Sequence, residues 1–150
     1  MRSVPIVLKN GEFVRGQNLD EVAKIIGVNG TGFTQLPPDK LIEKWVMVLN
    51  AAQRYIRQFP DARLAEDVIP NRKRSIRRLC HHIFRIPESF LETAIGGVDF
   101  DSGTANRMPA DDKFHTSVEL VNYGAEITAN LQKWWNTLAD KSCQGKVETY

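Results

Sequence analysis

Long apolar runs, paired cysteines and charge of one sign are all missing from this chain, and each absence removes a class of function. No window approaches ~18 uncharged apolar residues, so no membrane-spanning helix is expected. The first residues lack a basic stretch followed by an apolar run, so no secretory leader is expected either. A cytoplasmic location follows as the expectation. Cys80 and Cys143 are the two cysteines, too few for a disulfide framework and without C-x-x-C spacing. Both are read as free thiols. A net charge of +2 implies neither nucleic acid nor a membrane surface as a global partner, so any electrostatic argument must be local. What is present is 150 residues, 42% of them hydrophobic and 25% charged, enough for one domain with a buried core.

The densest chemistry lies between Asn71 and Glu92, in NRKRSIRRLCHHIFRIPESFLE. It opens on a cluster of five cations, Arg72, Lys73, Arg74, Arg77 and Arg78, and holds two of the three histidines and a mid-helix proline. On a helical wheel of 100° per residue, Ile76, Leu79, Ile83, Ile86, Phe90 and Ala94 form one stripe roughly 80° wide. His82 lies at the edge of that stripe and is expected to look inward. His81 points to the opposite side and is expected to meet solvent.

Taken in order, Val4 to Val14 reads as a β-hairpin, because two short strand-like runs flank Asn10-Gly11, the strongest signal for a type I′ turn. A short helix follows, capped by Asn18, with Asp20 and Glu21 in its first turn and Gly27 at its end. The glycine- and proline-rich stretch from Asn29 to Pro38 marks a subdomain boundary, with residues 1–34 before it and 35–150 after it. The first long helix starts at Pro37-Pro38 and runs to Phe59, carrying Leu41, Trp45, Val48, Ala52, Tyr55 and Phe59 at helical spacing. The second runs from Asn71 or Ser75 to Ile95, kinked at Pro87 and ended by Gly96-Gly97. The third starts at the capping box Thr116-x-x-Glu119 and continues to Ala139, with Leu120, Tyr123, Ile127, Leu131, Trp134 and Leu138 as its stripe. Three long amphipathic helices make the fold mainly α, with a small hairpin and short helix in front.

The helix carrying Ser75, Leu79 and His82 resembles that of the DinB-like (YfiT-like) metalloenzymes, in which a capping serine is followed by a leucine and a single metal-binding histidine. ELVNYGAEITANLQKWWNTL looks like the next helix of the same bundle, and the resemblance covers Leu36 to Tyr150. It implies an up-down helical bundle of four helices, of which three are present here, and a metal- and thiol-dependent transferase or hydrolase. It also implies a divalent ion, zinc or nickel, with His82 as a ligand. The family usually completes its metal site with an H-x-x-x-H pair on the last helix, and this chain has no such pair. The expected consequence is an incomplete site, with catalysis impaired or dependent on oligomerisation. A second resemblance joins RSVPIVLKNGEFVRGQNLDEVAKIIGV to the C-terminal part of a glutaredoxin or thioredoxin-like domain, with Val4-Pro5 at the cis-proline step. No cysteine precedes Cys80, so redox catalysis is not expected there. Both ends look cut from a longer glutaredoxin-plus-bundle protein.

Each candidate residue carries two readings. His82 is either a helix histidine bonded to a neighbour or a metal or ligand contact. His115 and Glu119 are spaced for a ligand pair at i, i+4, but exposed polar residues in a first helical turn are the commoner explanation. Cys80 reads as a small buried hydrophobe rather than a nucleophile. Arg74, Arg77 and Arg78 stand at a helix N-terminus, where cations oppose the macrodipole. They either pair with Asp61, Glu66 and Asp67 of the preceding loop or bind an anion, as a small anionic or thiol ligand or a nucleic-acid backbone would offer. The lack of aromatics between Asn71 and Ile83 disfavours nucleic acid. A bundle short of one helix exposes apolar surface, for which a homodimer is the expected remedy. Two functions therefore stand side by side: a degenerate metal-dependent enzyme, and a non-enzymatic binding module contacting an anionic partner through Arg74, Arg77 and Arg78.

Overall fold

The computed structural model describes residues 5–16, 19–28, 36–69, 73–98 and 113–143. The expected cap at Asn18, the Val4-Pro5 step, most of the linker from Asn29, Arg72, and most of the loop from Gly96 to Asp112 lie outside those residues. Two compact units divide the chain, Met1–Leu36 and Pro37–Tyr150.

In the first unit, strands β1 (Ile6–Lys9) and β2 (Glu12–Arg15) pair antiparallel in the register Ile6 to Arg15 and Lys9 to Glu12. Asn10 (φ 53°) and Gly11 (φ 84°) both take positive φ, which is what a type I′ turn requires of its two central residues. Helix α1 (Leu19–Ile26) ends at left-handed Gly27. There Val28 N–H donates to Ala23 O and Gly27 N–H to Lys24 O, the Schellman arrangement that satisfies two otherwise orphaned carbonyls. Lys9 Nζ donates to a third, Ile26 O, at 2.9 Å, placing a cation against the negative end of the helix.

The second unit holds three long helices, α2 (Pro38–Ile56), α3 (Ile76–Gly96) and α4 (Ser117–Thr137). Their ends obey local rules. Pro38 opens α2, Ser75 caps α3 by accepting from Arg78 N–H at 3.2 Å, and Gly97 (φ 65°) closes it. The capping box of α4 is complete: Thr116 accepts from Glu119 N–H, and Glu119 accepts in return from Thr116 N–H. Helix α3 runs unbroken through Pro87, which is fully buried. Among the described residues no helix is long and apolar enough to cross a membrane.

Helix direction follows from which residues meet. Early α3 meets early α4, since His81 stacks on Tyr123 at 5.4 Å, and late α3 meets late α4, since Phe90 lies 4.9 Å from Trp134. These two helices are therefore parallel. Helix α2 opposes both: Trp45 in its first half packs edge-on against Phe90, while Gln53 near its end donates to Thr128 midway along α4 at 3.1 Å.

The core joins Leu49 and Ile56 of α2, Leu64, Phe84 and Leu91 of α3's side, and Leu120, Val121 and Leu131 of α4. Leu41, Val48 and Tyr55 of the α2 stripe are instead exposed, at 53%, 55% and 67%. Phe84 sits against Gly124, where a Cβ would lie 2.6 Å from its Cε1 and Cε2 carbons. A ring in a packed core has no room to move aside. Gly124→Ala is accordingly expected to lower stability by about 1 to 3 kcal/mol despite alanine's better helix propensity, read from the denaturant midpoint. An unchanged or higher midpoint would show that α4 does not depend on this contact.

Candidate functional site

Helix α3 begins in a turn whose backbone groups already have partners. Ile76 N–H donates to Glu66 O and Arg77 N–H to Leu64 O, both at 2.9 Å, and Ser75 Oγ takes the N–H of Arg78. An anion arriving here would thus be held by side chains rather than by a bare helix end. Those side chains are Lys73, which is exposed, and Arg74, Arg77 and Arg78, which are half-buried. The Nε atom of Arg74 is out of solvent and takes no hydrogen bond among the described residues.

Two acidic residues of the loop before α3 are engaged elsewhere. Glu66 pairs with Arg63 at 2.9 Å, and Asp61 Oδ1 accepts the N–H of Ser117 at 2.7 Å, tying the loop to the start of α4. Asp67 joins the start of α3 through a backbone bridge to Ser75.

His81, expected to meet solvent, is the more buried of the two histidines. His81 is buried, at 4% exposure, and His82 is half-buried. The wheel stripe was centred on the isoleucines and leucines, whereas the most buried line of α3 is Cys80, Phe84, Pro87 and Leu91. At 100° per residue that line is turned by about 80° toward His81. The ring of His81 stacks on Tyr123 and tilts against Phe114 at 5.6 Å. Burial drives its pKa down to about 4, with Glu88 opposing and Lys113, Arg85 and His82 reinforcing. His82 is also lowered, by burial first and then by the charge of Arg74. Cys80 is buried and its thiol is pushed up to about 11 by desolvation, which makes it inert at neutral pH. His115 and Glu119 are no ligand pair either: Glu119 Oε2 accepts the N–H groups of both His115 and Thr116.

One constellation escaped the sequence reading. Arg85 is only 8% exposed and grips Glu92 with both terminal nitrogens at 2.8 Å, while its Nη1 also reaches Glu88 Oε2 at 2.7 Å. Tyr123 donates its hydroxyl to that same Glu88 oxygen at 2.6 Å. The pKa of Arg85 rises, chiefly through Glu92, and that of Tyr123 rises through burial and then Glu88. The i, i+3 and i, i+7 spacing of Arg85, Glu88 and Glu92 on one helix was the available signal. Glu88 and Glu92 also line a groove of about 680 Å³ between α3 and α4, floored by Leu91, Ile95, Ile127 and Trp134.

The described residues do not assemble the metal site implied by the DinB resemblance. Among the described residues no group of three or more His, Cys, Asp or Glu side chains could hold a metal ion, and His82 alone is one donor where a catalytic zinc site uses about three. No known protein family, characterised protein or solved structure matches this chain.

The buried imidazole of His81 makes stability depend on pH. Its unfolded pKa of about 6.5 exceeds the folded value, so between pH ~6.5 and ~4 the unfolded chain binds the additional proton. The stability present above that window is lost as pH falls through it, by about 3 kcal/mol at most. His81→Phe keeps the stacked ring and removes the proton site. Its stability is expected to fall less steeply than the wild type's across that window in pH-resolved urea titrations, and parallel curves would refute the assignment.

Proposed function

We propose that this chain is a DinB-like helical bundle that serves as a binding module rather than a catalyst, contacting an anionic partner through Arg74, Arg77 and Arg78. The observation that carries the reading is the half-burial of Arg74, Arg77 and Arg78 together at the start of α3, with the Nε of Arg74 out of solvent and donating no hydrogen bond among the described residues. Half-buried guanidinium groups are suited to the purpose, because a planar donor fork held by its surroundings loses little freedom when it meets a carboxylate or phosphate. The pKa of His82 is lowered by burial first and then by the charge of Arg74, so it offers a hydrogen bond rather than charge at neutral pH. A small dianion such as a carboxylated thiol matches three arginines on adjoining turns.

Retention on immobilised heparin, a general polyanion, tests the charge side of this reading. The wild type is expected to elute at a salt concentration that falls clearly for the Arg74→Ala, Arg78→Ala double variant, because each lost contact lowers the salt dependence. Equal elution of the two proteins, with both folded, would sink it.

Pairing of two copies is part of the same proposal. Leu41, Val48 and Tyr55 recur every seven residues on the exposed side of α2, a spacing that suits a helix-to-helix seam. Native mass spectrometry of the full chain is expected to show a dimer that Val48→Glu converts to monomer. A monomeric wild type at micromolar concentration would remove the seam from consideration.

A further inference from the structure

We infer that the groove between α3 and α4 is a binding site for a small organic ammonium ion with an apolar body. This site is separate from the arginine cluster. At about 680 Å³ the groove has the size of a small-molecule pocket. Its floor, Leu91, Ile95, Ile127 and Trp134, offers apolar surface to a hydrocarbon or aromatic body.

Charge selects the head group. Glu88, Glu92 and Glu126 on the groove stand against Lys133 and the Arg85 that pairs with two of them, an excess of one negative charge that favours a cation over an anion. The carboxylates are not equivalent. Arg85 occupies both oxygens of Glu92. On Glu88, Arg85 and Tyr123 both bond the one oxygen Oε2, and this holds the carboxylate in place. The other oxygen, Oε1, accepts no hydrogen bond among the described residues. A charged acceptor oriented by two donors, left open on a groove wall, calls for a charged donor. An alkylammonium group supplies it, and a charge-assisted bond is about twice as strong as a neutral one. Trp134 adds a second attraction specific to cations, since an ammonium near an indole face is drawn to the ring quadrupole. Glu126, on α4, is exposed and contributes a further negative charge from the facing helix.

The test uses three probes of one shape, n-hexylammonium, n-hexanol and hexanoate, titrated into the full chain by calorimetry at pH 7. The expected result is saturable binding of hexylammonium, at least about tenfold weaker binding of hexanol, and none of hexanoate. Glu88→Gln is expected to weaken hexylammonium by about tenfold. Glu126→Gln, on the exposed wall, should weaken it by about two- to threefold. Because Glu88→Gln also disturbs Arg85 and Tyr123, the preference for hexylammonium over hexanol in the wild type decides the matter without any variant. Hexanol binding as tightly as hexylammonium would overturn the inference, as would the absence of saturable binding. Unchanged hexylammonium affinity in both glutamate variants would place the ligand elsewhere and overturn it as well.

Discussion

The contact of Phe84 with Gly124 sets the geometry on which the rest of the helical unit depends. Without a side chain at position 124, the backbone of α4 comes down onto a buried aromatic ring of α3, and the two helices approach closely at that level. One turn earlier, this approach brings His81 into a stack with Tyr123. One turn later, it brings Glu88 within reach of the Tyr123 hydroxyl. A methyl group at position 124 would push apart all three contacts at once, because they share one separation between one pair of helices.

That separation also explains how a charged side chain comes to be buried. A guanidinium removed from water costs several kcal/mol unless its donors are met. Arg85 meets this requirement within its own helix, from Glu88 and Glu92, and Tyr123 then fastens one of those carboxylates to the neighbouring helix. The network works as a polar clamp between parallel helices, with one face on the core and its carboxylates on the groove. Helix α3 consequently carries opposite charge at its two ends. Its opening turns present arginines whose loop neighbours are paired elsewhere, and its later turns present glutamates organised by a buried arginine. The two proposed sites follow from this polarity, one for an anion and one for a cation.

Several elements were legible in the residues alone. Asn10-Gly11, Gly27, Pro38, Ser75, Gly97 and the pair Thr116 and Glu119 each satisfy or exclude a backbone hydrogen bond within a few positions of themselves. The hairpin, the helix ends and the mainly helical class followed from them. The long segment between α3 and α4 was also visible, though its purpose was not. The parallel course of α3 and α4 was not legible, since an apolar stripe carries no direction along its axis. On α3 the isoleucines and leucines drew the predicted stripe, yet Phe84 and Pro87 are the fully buried side chains. His81 was placed on the solvent side as a result, whereas it is buried.

The sequence by itself determined where the elements begin and end, because caps and turns are short-range hydrogen-bonding problems solved by adjacent residues. The tertiary structure alone decided which side of each helix is interior. That choice depends on the shape of the partner, and the partner of Phe84 is a glycine forty residues away whose contribution is the absence of a side chain. Apolar periodicity ranks faces by composition and contains no information about such a space. The same limit hid the clamp on Glu88, since the hydroxyl that completes it arrives from another helix. Neither the inward histidine nor the oriented carboxylate exists until α3 and α4 lie side by side.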